Sequence, residues 1–158
     1  WSDHGFHLGE KDTWGKFTLW ERSSHVPLII VAPGVTQTGA RTDEAVSLQN
    51  VYATLADLAG LGVPVHVDGT SLRPLLEDPS SSWDEVAFTT AEFGSYAMQD
   101  DHFRYIRYLE GGEELYDHRS DPNEWKNLAS DPAFAETLEA MRAKVPPFGQ
   151  QAPPQVLE

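Results

Sequence analysis

Apolar residues along this chain recur at three spacings, and each spacing predicts a different element. Val26-Pro27-Leu28-Ile29-Ile30-Val31-Ala32 is a continuous apolar run closed by Pro33-Gly34. Such a run suits a strand covered on both faces, as in a parallel sheet. Leu48, Val51, Tyr52, Leu55 and Leu58/Ala59 then repeat at helical spacing, with Gly60 placed as a C′ residue. They predict an amphipathic helix of about four turns. After a short Leu72–Leu76 helix capped by Thr70 or Ser71, the stretch Asp78-Pro79-Ser80-Ser81-Ser82 reads as a linker.

Beyond that linker the period changes to two. Residues 86–90 and 96–99 read as strands, and Phe103-Arg104-Tyr105-Ile106-Arg107-Tyr108 alternates most clearly. Phe103, Tyr105 and Arg107 fall on one face, with Arg104, Ile106 and Tyr108 on the other. Gly111-Gly112 turns this strand into Glu113–Asp117 as a hairpin. Asp131-Pro132 then offers an N-cap with Pro at N1, and Phe134, Leu138, Met141 and Val145 stripe a last helix. Residues 147–158 read as an extended Pro-rich tail. The order predicts an α/β chain that ends in a small antiparallel sheet packed with a C-terminal helix.

Composition narrows the function classes. The 158 residues are 40% hydrophobic and 11% aromatic, enough for a real core. A formal charge of −14 argues against nucleic acid and against an anionic membrane surface as partners. There is no cysteine, so Cys-ligated zinc and thiol nucleophiles are excluded. No apolar stretch approaches the roughly 20 residues of a spanning helix.

Chemistry concentrates ahead of the apolar run, in a loop-rich segment over residues 2–25. Ser2-Asp3-His4-Gly5, His7, Leu8-Gly9-Glu10 and Lys16 place a carboxylate, two imidazoles and a lysine on one loop. Asp3 suits a hard cation, and His4 suits a metal or an anion contact. A turn-capping Asp and a surface His account for the same two residues. His4-x-x-His7 without further ligands is a weak zinc signal. Lys16 suits a tetrahedral dianion beside a divalent ion, or plain solvation. Lys11 reads as solvated, His25 as packing at the entry to the apolar run or approaching the site. His66, His102 and His118 are assigned no role. Arg104 and Arg107 read as surface partners of Glu113, Glu114 or Asp117, pairs worth little. No G-x-S-x-G, P-loop, G-x-G-x-x-G or H-E-x-x-H is present, and no nucleophile–base pair is evident.

Three ordered blocks carry more than their chemistry. They are Ser2 to Lys11 with Trp14-Gly15-Lys16-Phe17 and His25-Val26-Pro27-Leu28-Ile29, then Val51–Gly60 with Asp68–Leu76, then Phe103–Tyr108 through Glu114–Asp117, Asp121-Pro122-Asn123-Glu124 and Asn127-Leu128. Together they resemble the sulfatase family, nearest its iduronate-sulfatase-like and choline-sulfatase-like members. The resemblance implies the C-terminal part of an alkaline-phosphatase-like α/β fold. Residues 1–79 would end the catalytic domain, 80–146 would form the C-terminal sheet and helix, and 147–158 the tail.

It also implies hydrolysis of sulfate esters, sulfated sugars among them, at a Ca²⁺ site with a formylglycine nucleophile. Asp3 and His4 match the family's metal-ligating pair, and Lys16 matches its sulfate-contacting lysine. The C/S-x-P-x-R motif that yields formylglycine does not occur here. The chain, which begins without Met, is therefore expected to be a piece of a longer or processed protein and inactive by itself. A periplasmic, secreted or lysosome-like setting follows from the resemblance. The roles of His7 and His25 stay open, and Phe6 is placed on the leaving-group side. Two alternatives remain: a phosphoryl or phosphonate monoester hydrolase of the same superfold, and a non-catalytic piece that self-associates through exposed sheet edges.

Overall fold

The computed structural model describes residues 1–91 and 94–145, so the Pro-rich tail lies outside the described residues. Contacts divide the chain into two compact units. One holds Trp1 and Pro27–Ala87; the other holds Ser2–Val26 and the residues from Phe88 onward. By packing, then, the Asp3–Lys16 loop groups with the C-terminal sheet, whereas the sequence division had kept it with the residues that follow it.

In the second unit, β1 (His7–Leu8) and β2 (Trp14–Gly15) form a small antiparallel hairpin, and a single turn of helix, α1, spans Glu21–Ser24. The first unit carries α2 (Gln49–Leu58) and α3 (Arg73–Glu77). The second unit's main sheet has the order β3 (Ala87–Thr90), β4 (Tyr96–Gln99), β5 (Phe103–Arg107) and β6 (Glu113–Asp117). It is followed by α4 (Ala135–Ala143).

The first unit departs from the sequence reading in two places. Residues 26–32 form no strand, and Ile29 and Val31 are 80% and 81% exposed. A buried strand needs hydrogen-bonded neighbours and covering helices, and among the described residues none pairs with this run. The α2 helix forms where its period predicts, but its apolar stripe is not its buried face. Leu48, Tyr52 and Leu55 are exposed, whereas Asn50, Ala53 and Thr54 are buried.

Positions 50, 53, 54 and 57 make one face at helical spacing, and hydrogen bonds tie it to residues 70–73. Asn50 Nδ2 donates to the Thr70 carbonyl (2.9 Å), Thr54 Oγ1 accepts the Leu72 N–H (2.9 Å) and Ser71 donates to Asp57 (2.6 Å). Ser71 also accepts the Arg73 N–H at the start of α3 (3.2 Å). The α2 helix stops as expected at Gly60, whose φ of +69° lets the Leu61 N–H reach back to the Ala56 carbonyl.

In the second unit the strands follow the two-residue period. Tyr105 pairs with Met98 on one side and Leu115 on the other, and all three are fully buried. The Gly111-Gly112 turn closes the β5–β6 hairpin, with the Tyr108 N–H bonded to the Gly112 carbonyl (2.9 Å). The two faces of β5 meet different covers. On the Phe103/Tyr105/Arg107 face, Phe134 stacks edge-on to Phe103 (6.3 Å) and Arg142 of α4 pairs with Glu113. The α4 helix also buries Leu138 and Met141, worth about 2 kcal/mol each. Asp131 caps this segment by accepting the Ala133 N–H, as its sequence predicts. On the opposite face, Leu19 packs with Ala97, Ile106 and Tyr116, flanked by Trp20 and Tyr108. The segment that bears the candidate chemistry is therefore laid directly on the sheet.

Candidate functional site

The Ser2–Lys16 segment is held at its base by α1. The Gly5 N–H donates to the Ser23 carbonyl (2.7 Å), and a Cβ at position 5 would run into the Arg22 carbonyl. Only glycine permits that approach. From there the chain enters the β1–β2 hairpin, in which His7 stands opposite Gly15 and Leu8 opposite Trp14.

Three of the residues singled out in the sequence come together at this base. His4 Nδ1 lies 2.7 Å from the Gly5 carbonyl, so that nitrogen carries the proton and Nε2 keeps its lone pair. Lys16 Nζ donates to His4 Nε2 (2.7 Å), and Asp3 Oδ2 lies 3.6 Å from the same atom. The Asp3 side chain is 82% exposed and that of His4 35%, so the corner opens outward. A carboxylate and an ammonium within 3.6 Å of one imidazole nitrogen offer ligands to a cation and a charge to an anion.

The other sequence candidates go elsewhere. His7 is fully buried, its Nε2 engaged by Thr18 (2.9 Å) and Ser23 (3.1 Å) and its ring edge-on to Trp20. It is a core residue and makes no zinc pair with His4. His25 bonds Glu21 through Nδ1 (2.6 Å), and that hydrogen bond raises its pKa against the opposing effect of burial. Burial alone would raise the Glu21 carboxyl; the His25 hydrogen bond and the Arg104 charge instead hold it at about 2.

Two assignments are corrected. Arg104 is 4% exposed, not a surface partner of Glu113, Glu114 or Asp117. It donates to the Leu19 carbonyl (3.2 Å), to Glu21 and to Gln99, and its Nε lies 2.8 Å from Glu124 Oε1 as an ion pair. Lys11 is not solvated. Its ammonium donates to Tyr116 Oη (3.0 Å) and to the Glu124 carbonyl, and rests over the rings of Trp20 and Tyr116 at 4.5 and 4.6 Å.

The sequence reading also passed over His118 and the role of Glu124. His118 Nε2 donates to Glu124 Oε1 (2.9 Å), while its Nδ1 accepts from Gln99 (3.0 Å). Among the described residues, Glu21, His118 and Glu124 form a trio whose ligand atoms lie within 4.8 Å. The Arg104 guanidinium already compensates both carboxylates there, so the trio reads as a buried ion network, not a metal centre. The one signal for it in the sequence was the Asp121-Pro122-Asn123-Glu124 turn, which leaves Glu124 at φ +61°.

Comparisons with known proteins place the chain in a family. Residues 9–151 match the family described as N-sulphoglucosamine sulphohydrolase, C-terminal. A sulfatase of Formosa agariphila is 38% identical over 92% of this chain and 29% of its own length. A Delta 4,5-hexuronate-2-O-sulfatase of Bacteroides thetaiotaomicron is 33% identical over 90% of this chain and 32% of its own length. Among solved structures, a 2-O GAG sulfatase superposes with a TM-score of 0.73 at 31% identity, over 89% of this chain and 33% of that one. The phosphonate monoester hydrolase of Agrobacterium radiobacter superposes at 0.74 and 31% identity, over 90% and 32%. The chain thus spans about a third of the length of these relatives. Its sheet and last helix are the C-terminal part of the alkaline-phosphatase-like fold those sulfatases share. On its sequence, its fold and the match over residues 9–151, this chain belongs to the sulfatase family.

Proposed function

We propose that this chain forms the C-terminal wall of a sulfate-ester hydrolase site, with Asp3 and His4 as metal ligands and Lys16 as the sulfate contact. The observation that carries the reading is the convergence of three groups: Lys16 Nζ donates to His4 Nε2, and the Asp3 carboxylate lies 3.6 Å from the same nitrogen. A carboxylate and a neutral imidazole supply two ligands for Ca²⁺, fewer than the six to eight that ion takes, so the remainder would come from elsewhere in the enzyme. Bound there, the ion would offset charge on the sulfate oxygens, and a formylglycine would supply the attacking oxygen. Lys16 would hold a sulfate oxygen as charge develops in the transition state. His4 is fixed by its bond to the Gly5 carbonyl, and its Nε2, which takes the Lys16 ammonium here, is the nitrogen that would face the ion. Phe6, half exposed beside β1, would line the leaving-group side.

The substrate we favour is a sulfated sugar, and among these a 2-O-sulfated hexuronate. The names of similar proteins support this: a similar curated sequence is named a Delta 4,5-hexuronate-2-O-sulfatase and a similar solved structure a 2-O GAG sulfatase. The division of the enzyme into a catalytic part ending near residue 79 and a C-terminal subdomain belongs to the same proposal, as does a periplasmic, secreted or lysosome-like setting. Among the described residues no helix is long and apolar enough to cross a membrane.

The likeness to a phosphonate monoester hydrolase favours a second reading, because both ester types present tetrahedral anions. The test is turnover by the intact enzyme encoded by the gene that carries this chain. We expect a 2-O-sulfated hexuronate disaccharide to be cleaved in preference to a phenyl phosphonate monoester, and chelation to abolish the activity. Preference for the phosphonate would overturn the sulfatase reading in favour of the second.

A further inference from the structure

We infer that Glu124 is a positioning residue for the Asp3–His4–Lys16 corner, acting through Lys11 at one end of the β1–β2 hairpin and through α1 at the other. The inference rests on the sulfatase reading only for what the corner binds; the clasp itself is a matter of geometry.

His4 and Lys16 approach each other from opposite ends of the hairpin segment, so their separation depends on how that segment is held. Its far end is the turn at Glu10–Asp12, where Lys11 and Asp12 both have φ of +54°. Left-handed backbone at two consecutive non-glycine residues is unfavourable unless something outside the turn imposes it. Lys11 supplies that restraint, because its ammonium is tied to the Glu124 carbonyl and to Tyr116 and lies between two rings. The near end is held by α1, whose Ser23 carbonyl takes the Gly5 N–H. The first N–H of α1, that of Glu21, donates to Glu124 Oε2 (2.8 Å).

One residue thus holds both ends. Its carboxylate fixes the helix turn at the base, and its carbonyl fixes the lysine at the tip. Glu124 is itself over-determined: it is 1% exposed and its own φ is +61°. Its second carboxylate oxygen meets Arg104 (2.8 Å) and His118 (2.9 Å), which set the carboxylate's direction from the sheet side. The turn that presents it is closed by the Glu124 N–H on the Asp121 carbonyl (3.1 Å) and by the Lys126 N–H on Asp121 Oδ2 (2.8 Å). Strain kept at two matched positions more than a hundred residues apart, on either side of one tether, is what a placed site requires. A displacement of about 1 Å at such a corner costs on the order of a hundredfold in rate.

Glu124→Gln leaves Arg104 buried beside an uncharged partner and can fail to fold, so the decisive variant is Lys11→Met. It keeps the side-chain stem and removes only the tether. In the intact enzyme we expect Lys11→Met to lower hydrogen-exchange protection over residues 3–16 by about tenfold, with β5 and β6 unchanged. Inhibition by inorganic sulfate should weaken by about tenfold and kcat/KM for a sulfate ester should fall by a similar factor. Lys11→Arg, which can still donate to the Glu124 carbonyl, should recover most of both.

Unchanged protection over residues 3–16 together with unchanged sulfate inhibition would overturn the inference. So would loss of protection spread equally over the loop and the sheet, which marks a purely structural ion network. If the loop loosens alone while the unmutated enzyme neither cleaves a sulfate ester nor is inhibited by sulfate, the clasp stands and the sulfatase reading falls.

Discussion

Gly5 and Arg104 show how tightly single residues constrain the candidate corner. A methyl at Gly5 has no room against the Arg22 carbonyl, so Gly5→Ala must push α1 away from His4 and lose the 2.7 Å bond to Ser23. We expect a loss of about 2–4 kcal/mol by urea denaturation, the size of an overpacked backbone contact. Arg104→Met removes a guanidinium shared by two poorly exposed carboxylates. Removing their shared buried cation costs about 3–5 kcal/mol, far above the worth of the surface pair its sequence suggested.

The Glu21–His25 pair gives the acid limb of stability a sign. Glu21 titrates at about 2 when folded, below its ordinary 4.5, so its contribution is full above pH 4.5 and is lost as pH falls toward 2. His25 is raised, so its contribution is full below its ordinary 6.5 and is lost as pH rises through its folded value. Glu21→Gln should flatten the acid unfolding profile between pH 4.5 and 2. It should also bring the His25 NMR titration down from its raised position, because burial and the Arg104 and Arg22 charges then act on it unopposed. A His25 midpoint that stays raised would show that another group holds its proton.

At the scale of elements, legibility followed locality. The four strands of the main sheet and α4 were readable because period, turn and cap all lie within a few residues of one another, as in Gly111-Gly112 and Asp131-Pro132. The α2 helix was readable as a helix but not by its face. Its buried side is Asn50, Ala53 and Thr54, small or polar residues whose burial depends on hydrogen bonds to residues 70–73. In this chain, Ala53→Leu should therefore destabilise by about 1–3 kcal/mol, while Leu55→Ser should change stability by less than about 1 kcal/mol. A larger loss at Leu55 would mean that its exposed stripe is covered in solution.

Residues 26–32 were illegible for a related reason, since a strand's burial is decided by its neighbours and not by its own composition. Lys11 and Glu124 were hidden by distance along the chain. No periodicity links residues 113 positions apart. Asp3, His4 and Lys16 were legible as a group because they crowd one short segment. The resemblance assigned them roles, and the fold then placed them on one another.

For the whole molecule, the packing has a functional sense. The loop with the candidate chemistry lies on one face of the C-terminal sheet through Leu19 and Trp20, and α4 backs the other face. If the loop holds the proposed site, a sheet that braces it in this way contributes placement without supplying a nucleophile. The 158-residue chain alone should therefore show no turnover of an aryl sulfate and should bind Ca²⁺ weakly, having two ligands to offer. Micromolar calcium affinity by calorimetry would contradict that ligand count.

Lys16, seated on His4 beside Asp3, is the group we propose as the sulfate contact. Lys16→Met in the intact enzyme tests it most directly, with kcat/KM for a sulfate ester and the inhibition constant of inorganic sulfate measured side by side. We expect a fall of about a hundredfold or more in kcat/KM, as for loss of one charge-stabilising donor, and much weaker inhibition by sulfate. Values within about threefold of the unmutated enzyme on both measures would contradict it.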